Sequence, residues 1–386
     1  MEAYLDNAAT TRVFESVKNI MVETLSVDYG NPSSMHTKGI EAERYIKDAK
    51  DIISKNLKVD SKEIIFTSGG TESNNMAIIG TAYANRRSGN HIITTRIEHP
   101  SVHNPLLFLE DNGFRATYVP VDKNGKILLE ELLDAVTEDT ILVSIMYVNN
   151  EIGSVQSISE ISKRLKVKNP NLLIHVDGIQ AYGKYNIYPK REGIDLLSIS
   201  GHKIHGPKGS GILYVRDKVK IKPILFGGGQ QKGMRSGTEN VPAIAGIGQA
   251  VKEIYKDHDQ KRAMLYSLKK AFIERVTQLE GVTINGMGVT LEETAPHIVS
   301  VSFEGIRSEV LLHALADKKV YVSSGSACAS NHPQLSGTLK AIGVREDLLD
   351  STIRFSFSVQ TTMEEIEYAV SMLQELVPTL KRFRRH

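Results

Sequence analysis

The chain has 386 residues, of which 41% are hydrophobic, enough to bury a large core in two or three domains or in one large domain with an appendage. Its 47 Lys and Arg residues nearly balance its 45 Asp and Glu residues, and the resulting net charge of +2 argues against a nucleic-acid-binding surface. No apolar run approaches the roughly 20 residues of a membrane span, so we expect no membrane partner.

The only cysteine, Cys328, limits what the chain can hold. A single cysteine excludes a disulfide within the chain, and it excludes a zinc or iron–sulfur site made from several cysteines of the chain. The N-terminal residues show no basic segment followed by an apolar one, as a secretory signal would. We therefore expect a cytoplasmic protein without a metal site.

The first predicted elements are two helices, over residues 13–27 and 40–57, the second with an Ala, Ile and Leu stripe and many i,i+4 charge pairs. Short apolar runs with strand character then alternate with helical patterns. These runs cover residues 63–67, 92–95, 116–120, 141–148, 172–176, 196–200 and 211–215. The alternation predicts an α/β fold with a mainly parallel, seven-stranded sheet and helices on both of its faces.

Residues 242–279 are helical and increasingly charged, which is typical of a long connector. The pattern changes after residue 281. The predicted elements that follow form a small α/β sandwich, with strands at 298–303, 320–322 and 353–357 and helices at 309–317 and 363–376. We therefore assign residues 15–257 to a large domain, and residues 1–14 and 258–386 to a small one.

Lys203 lies in a turn rich in Gly and Pro between the strands at 196–200 and 211–215. Burial at a strand end disfavours the ammonium form of a lysine, which frees the amine to attack a carbonyl carbon. The alternative is a solvated lysine in a glycine turn. Asp177 and Gln180, which follow the strand at 172–176, favour the first interpretation. Pyridoxal 5′-phosphate requires a lysine that binds its aldehyde and an acid that keeps its ring nitrogen protonated.

Several motifs in this order resemble the cysteine desulfurases, pyridoxal-phosphate enzymes of fold type I in the aminotransferase class V family. The motifs are YLDNAATT at 4–11, FTSGGTESNN at 66–75, NNEIG at 149–153, DGIQ at 177–180, SGHK at 200–203, MRSGT at 234–238 and SSGSACAS at 323–330. The resemblance covers nearly the whole chain. It implies a large cofactor-binding domain and a small C-terminal α/β domain.

The resemblance also assigns roles to individual side chains. Lys203 would bind the aldehyde of the cofactor, Asp177 would contact its ring nitrogen, and His99 would stack on the ring and help to move protons. The remaining cofactor contacts would be Gly70, Thr71, Asn150, Gln180, Ser200, His202 and, from a neighbouring subunit, Thr238. Arg354 and Asn150 would bind the substrate, since the planar guanidinium of arginine suits an α-carboxylate.

Each of these assignments has a simpler alternative. The segment at 69–74 could be an ordinary glycine turn capped by Thr71, although a helix start after a strand also suits a phosphate. Asn150 and Gln180 could be loop caps. The i,i+4 spacing of His99 and His103 could suggest a metal, but no third ligand stands at a suitable spacing.

Two further alternatives concern charge and exposure. Arg354 could form a surface ion pair, and Thr238 could lie in a flexible surface loop that touches no cofactor.

Gly70 stands where alanine is common in the family, a change that should not affect contacts of the backbone with a phosphate.

Cys328 is surrounded by small and polar residues, whereas a buried structural cysteine more often lies in an apolar run. The resemblance makes Cys328 the nucleophile that takes sulfur from L-cysteine and becomes a persulfide, with release of L-alanine. The alternatives are a selenocysteine lyase and a non-catalytic, cofactor-binding scaffold for sulfur transfer.

The resemblance implies two kinds of protein partner. One is a second copy of the chain, because Thr238 would reach the phosphate site of the other subunit in a homodimer. The other is a sulfur acceptor, such as an iron–sulfur scaffold, a tRNA-thiolation enzyme or a thiamin-pathway carrier. Residues 331–338 differ from the forms typical of scaffold-binding members, so the sequence does not identify the acceptor.

Overall fold

The computed structural model describes residues 1–288, 290–324 and 335–382. The strands in these ranges are β1 (Ala3–Tyr4), β2 (Ile64–Thr67), β3 (His91–Thr95), β4 (Arg115–Val119), β5 (Thr140–Met146), β6 (Leu173–Asp177), β7 (Leu196–Ser200), β8 (Gly211–Val215), β9 (Val282–Asn285), β10 (Ile298–Phe303), β11 (Val320–Tyr321), β12 (Ser323–Ser324) and β13 (Thr352–Ser356). The α-helices are α1 (Glu15–Ser26), α2 (Thr37–Leu57), α3 (Gly70–Asn85), α4 (Pro100–Asp111), α5 (Leu129–Asp134), α6 (Ile158–Lys168), α7 (Pro189–Glu192), α8 (Val241–Tyr255), α9 (His258–Val276), α10 (Ser308–Asp317), α11 (Gly337–Ala341), α12 (Glu346–Leu349) and α13 (Met363–Arg382).

The largest sheet has seven strands in the order β2-β8-β7-β6-β5-β3-β4. Strand β8 is antiparallel to both of its neighbours, and all other neighbouring strands are parallel. The central strands β5, β6 and β7 are buried along nearly their whole length, as expected where helices cover both faces. The predicted mainly parallel, seven-stranded sheet is confirmed.

One edge of this sheet collects the ends of several strands. Strands β5, β6 and β7 run in the same direction and end at Met146, Asp177 and Ser200. Strand β2 runs in that direction too, since both it and β7 are antiparallel to β8. Ligands of open α/β sheets bind in the crevice outside these carboxyl ends.

A second core lies in the C-terminal part of the chain. Strands β9, β10, β12 and β13 form an antiparallel sheet in the order β12-β13-β10-β9, with apolar side chains of α9, α10 and α13 in the same core. Ala3 and Leu5 belong to this core as well, because β1 pairs with β11. The grouping agrees with a small domain that includes the N-terminal residues. The boundaries at residues 14 and 257 stay a prediction.

The structure differs from the predicted elements in three places. The helical connector over 242–279 is interrupted between α8 and α9, where Asp257 adopts a left-handed conformation with φ of 52°. The strand predicted at 320–322 corresponds to β11 alone, which pairs with β1, and a separate strand β12 follows it and pairs with β13. Strands β1 and β9 were not predicted.

Two absences apply to the described part of the chain. None of its helices is long and apolar enough to cross a membrane. Within residues 1–288, 290–324 and 335–382, no group of three or more metal-binding side chains is arranged to hold a metal ion.

Candidate active site

A cavity of about 300 Å³ lies at the carboxyl edge of the large sheet. It is lined by Ala8, Ala9, Gly70, Thr71, His99, Ser101, Met146, Val148, Asn150, Asp177, Ile179, Gln180, Ser200, His202, Lys203 and Arg354. Predicted residues from four of the quoted motifs, together with His99 and Arg354, therefore meet in one place. Among the predicted site residues that the structure describes, only Thr238 is not part of this lining.

Lys203 ends the short 3₁₀ turn that follows β7. Its Nζ donates hydrogen bonds to the carbonyl oxygens of Ala8 at 2.6 Å and Ala9 at 2.7 Å. The backbone oxygen of Lys203 accepts a hydrogen bond from Lys184 Nζ at 2.7 Å, and burial lowers the pKa of Lys184 to about 7. Lys203 is thus fixed at both its backbone and its amine, and the amine is positioned at the cavity.

Asp177 is the last residue of β6, and only 5% of it is exposed. Its Oδ1 accepts from the backbone N–H of Ile179 at 3.0 Å, and its Oδ2 accepts from Asn74 Nδ2 at 2.9 Å. Burial raises the pKa of Asp177, while its hydrogen bonds and the nearby His99 and Lys203 act in the opposite direction. A cationic group in the cavity would stabilise the ionised form of this carboxyl further.

His99 caps the N-terminus of α4. Its Nδ1 accepts from the backbone N–H of Ser101 at 3.1 Å and lies 2.8 Å from Ser101 Oγ. Burial lowers the pKa of His99, the charge of Lys203 lowers it further, and Asp177 opposes both effects. The preceding Glu98 accepts from Thr95 and from the backbone of Met146, and burial raises the pKa of its carboxyl to about 8.

The part of the cavity wall formed by Gly70, Thr71, Ser200 and His202 is suited to an anion. Helix α3 begins at Gly70, so the N–H groups of Gly70 and Thr71 have no acceptor within the helix. Ser200 lies in the cavity wall beside them. Burial and the nearby lysines lower the pKa of His202 to about 4, so at neutral pH His202 is a neutral imidazole with one N–H donor.

Gly70 also affects the width of the cavity. A Cβ atom at this position would lie 2.2 Å from Cδ1 of Ile179, which lines the cavity. An alanine here therefore requires the flexible end of Ile179 to move, whereas contacts made by the backbone of residue 70 do not change.

Gln180 and Asn150 are both amides of the cavity wall, but they are held differently. Gln180 is buried, donates from Nε2 to the carbonyl of Ala8 at 2.9 Å and accepts at Oε1 from His297 Nε2 at 3.1 Å. One N–H of Gln180 remains for a ligand. The turn at 149–153 is capped by the buried side chain of Asn149, so the role of loop cap belongs to that residue and not to Asn150.

Arg354 lies on β13 and reaches the cavity from the second sheet. It is 6% exposed, and it donates from Nη2 to Asp6 Oδ1 at 2.9 Å and from Nη1 to the backbone oxygen of Asn150 at 2.9 Å. Its Nε is buried without a hydrogen-bond partner, so a further acceptor at the cavity would satisfy it. The alternative of a surface ion pair is wrong, because the ion pair of Arg354 with Asp6 is largely buried.

Thr238 is exposed and borders a separate cavity of about 140 Å³. The segment that carries it is tied to α3 by an ion pair of 2.8 Å between Arg235 and Glu72. Within a single chain, therefore, Thr238 does not line the site of Lys203. Cys328 lies outside the described residues.

Sequence reasoning missed several residues that hold this site together. Asp6, Asn74, Ala8 and Ala9 stand within recognised motifs, and Ser101 stands two residues after His99, so these positions were the available signal. His297 had no such signal, since only the folded chain brings it to Gln180.

The residues of the cavity fit pyridoxal 5′-phosphate. They offer an amine for the aldehyde, a buried carboxyl for the ring nitrogen, and hydroxyl, imidazole and helix N-terminal donors for the phosphate. The unpartnered Nε of Arg354 remains for the carboxylate of a substrate. The donors and acceptors of this chain therefore match the cofactor group by group.

Comparison with known proteins gives a consistent result. A sequence model of the family Aminotransferase class-V matches residues 3–369. A Bacillus subtilis protein named putative cysteine desulfurase IscS 1 is 42% identical over 98% of this chain and 99% of its own length. The solved structure of a NifS-like protein covers 98% of this chain and 100% of its own, with 38% identity and a TM-score of 0.93. A structure titled SspA in complex with cysteine covers 93% of this chain and 100% of its own, with 33% identity and a TM-score of 0.81.

Proposed function

The chain belongs to the aminotransferase class V family and is a pyridoxal-phosphate-dependent cysteine desulfurase, and we propose how its residues divide the work. The observation that carries the proposal is the meeting of Lys203, Asp177 and Arg354 at one cavity. Lys203 binds the cofactor aldehyde, Asp177 holds a proton on the ring nitrogen, and Arg354 binds the substrate carboxylate.

The cofactor, when bound, supplies an electron sink for charge that develops on the substrate. The chain supplies the binding and orientation. Gly70, Thr71, Ser200 and His202 would bind the phosphate, and Gln180 would donate its remaining N–H to the ring oxygen. Asn150 would contribute an amide next to Arg354, and His99 would contact the ring and take part in proton movement.

Cys328 accepts the sulfur. Its thiolate attacks the sulfur of the substrate cysteine, so that a bond between Cys328 Sγ and that sulfur forms as the carbon–sulfur bond of the substrate breaks. The carbon skeleton takes up a proton and leaves as L-alanine. The enzyme keeps the transferred sulfur as a persulfide on Cys328, and an acceptor protein then removes it.

We propose that the active form is a homodimer in which Thr238 of each chain completes the phosphate site of the other. The exposed position of Thr238, separate from the cavity of its own chain, supports this proposal. The acceptor is an iron–sulfur scaffold or a thiolation enzyme. We propose a cytoplasmic location, since a reducing compartment preserves a catalytic thiol.

The test uses the fact that Cys328 is the only cysteine. Purified protein loaded with pyridoxal 5′-phosphate should release alanine from L-cysteine and gain one sulfur atom on Cys328, measured by mass spectrometry. The Cys328→Ala variant should still bind cysteine, with the spectral change of the cofactor, but should form neither persulfide nor sulfide. Sulfide release by this variant at the rate of the unchanged protein would refute the role of Cys328.

A further inference from the structure

His99 accepts two hydrogen bonds at one ring nitrogen. The backbone N–H of Ser101 donates to Nδ1 at 3.1 Å, and the Oγ of Ser101 lies 2.8 Å from the same atom. A backbone N–H is always a donor, so Nδ1 is an acceptor and carries no proton. In a neutral imidazole the proton then resides on Nε2.

Asn74 determines the direction of the Ser101 hydroxyl. Its two amide hydrogens go to Asp177 Oδ2 and to Ser101 Oγ, each at 2.9 Å. An ionised carboxylate only accepts hydrogen bonds, so Asp177 fixes which end of the Asn74 amide faces it. Since Ser101 Oγ accepts from Asn74, its own hydrogen is directed to Nδ1 of His99.

The two residues that link Asp177 to His99 are buried. Asn74 is 0% exposed and Ser101 is 6% exposed, so water does not readily replace either side chain. They connect the carboxyl that would contact the ring nitrogen of the cofactor to the imidazole of His99.

We propose that Ser101 and Asn74 are positioning residues that hold His99 as the neutral tautomer with its proton on Nε2. His99 then donates a hydrogen bond to a bound molecule through Nε2, whereas Nδ1 already accepts hydrogen bonds from Ser101. This inference rests on the proposed function only in placing the cofactor beside His99.

The charged groups around His99 shift its pKa in opposite directions. Lys203 disfavours the imidazolium and Asp177 favours it, while burial, the largest cause, lowers the pKa of His99. Glu98, the preceding residue, has a pKa of about 8 and is mainly neutral at neutral pH. A proton on Nδ1 would oppose the N–H of Ser101 and cost both hydrogen bonds to that nitrogen.

Nitrogen-15 NMR of the full-length protein, labelled in its histidine rings and loaded with pyridoxal 5′-phosphate, tests the proposal directly. The His99 signals are identified by their loss in His99→Gln. We expect a protonated Nε2 and an unprotonated Nδ1 between about pH 7 and about pH 9, above the lowered pKa of His99. A proton on Nδ1 of His99 in this range would overturn the proposal.

The variant Ser101→Ala removes one donor to Nδ1 and leaves the backbone donor. The imidazolium should therefore become easier to form, by about three- to tenfold in the protonation equilibrium. Because His99 acts through its neutral form in this proposal, we expect activity to be retained above the pKa of His99 and to fall as the pH drops through it. The acid-side loss of kcat/KM should accordingly move to higher pH, and Ser101→Thr should restore the original profile.

Ser162→Ala is the matched control. Ser162 is also buried in a helix, and its hydroxyl donates to the backbone of Gly193 at 3.0 Å, away from the site. It should change neither the His99 signals nor the pH profile. Unchanged signals and profile in Ser101→Ala, or the same shift in Ser162→Ala, would refute the positioning role.

The test of this hydrogen-bond network can fail or succeed independently of the test of the proposed function. If Ser101→Ala fails to fold, the spectra of the unchanged protein and of Ser101→Thr still decide which nitrogen carries the proton. If the unchanged protein releases no alanine from cysteine, the proposed function fails, whereas the NMR result on His99 stands by itself.

Discussion

The two sides of the cavity are built in different ways. Most of the cofactor side, namely Asp177, Gln180, Ser200, His202 and Lys203, comes from the ends of the adjacent parallel strands β6 and β7. Gly70, Thr71 and His99 join it from the segments that follow β2 and β3. The substrate side, which consists of Asp6, Asn150 and Arg354, combines the N-terminal segment, the loop after β5 and a strand of the second sheet. The cofactor side is therefore built from strand ends of one sheet, whereas the substrate side is assembled from unrelated parts of the chain.

The two sides of the cavity also differ in how their polar groups are held. On the cofactor side, backbone and side-chain hydrogen bonds hold each polar group separately, as they do for Asp177 and Lys203. On the substrate side, Arg354 depends on one ion pair with Asp6 and one carbonyl from Asn150. Substitutions on the cofactor side should therefore affect cofactor binding, whereas those on the substrate side should affect the binding of cysteine.

The largest effect is expected for Lys203→Ala. Loss of the amine should abolish covalent attachment of pyridoxal 5′-phosphate and reduce alanine release to background, because no other group replaces the nucleophile. Borohydride reduction followed by peptide mass spectrometry measures the attachment. Lys208→Ala, a change of an exposed lysine in the same turn, should keep both properties. Covalently bound cofactor in Lys203→Ala would show that the assignment is wrong.

Arg354→Ala comes next and tests the substrate side. Loss of a buried cationic partner for the substrate carboxylate should lower kcat/KM for cysteine by about a hundredfold, or about 3 kcal/mol. Cofactor absorbance should be retained. The control is Arg164→Ala, which breaks an exposed ion pair with Glu130 and should change kcat/KM little. If kcat/KM of Arg354→Ala equals that of the unchanged protein, Arg354 does not bind the substrate.

Thr238→Ala should have a smaller effect and extends the cofactor side to a second subunit. Loss of one hydrogen bond to a phosphate should weaken cofactor affinity about tenfold. In a heterodimer of Thr238→Ala with Lys203→Ala, both lesions fall in one shared site and the other site is native. Isolated heterodimers with two affinity tags should therefore show one site of unchanged affinity. If every site of the heterodimer showed weakened cofactor affinity, or if the protein were a monomer, the shared site would be ruled out.

Asp6→Asn is expected to have the smallest effect. The asparagine can keep the hydrogen bond to Arg354 but removes the opposing charge, so the KM for cysteine should fall by about threefold. The effect is modest because a fifth of the Asp6 side chain is exposed to solvent. Asp6→Ala, which also removes the hydrogen bond, should raise the KM. A higher KM in Asp6→Asn would mean that the charge of Asp6 aids substrate binding.

The sequence by itself determined the strands of the large sheet and predicted the residues of the cofactor side. The ranges predicted at 196–200 and 211–215 coincide with β7 and β8, because strands buried on both faces are largely apolar runs. The carboxyl ends of parallel strands share one edge. Residues placed after those strands could therefore be grouped before the fold was known.

Tertiary structure alone decided the substrate side and the supports of the site. The strand β1 has two residues and exists because it pairs with β11, a partner more than 300 residues away in the chain. The same pairing brings Asp6 to Arg354 and the Ala8 carbonyl to Lys203 and Gln180, and the second sheet brings His297 to Gln180. Such contacts leave no periodic signal in the sequence, since they depend on how the two cores pack against each other.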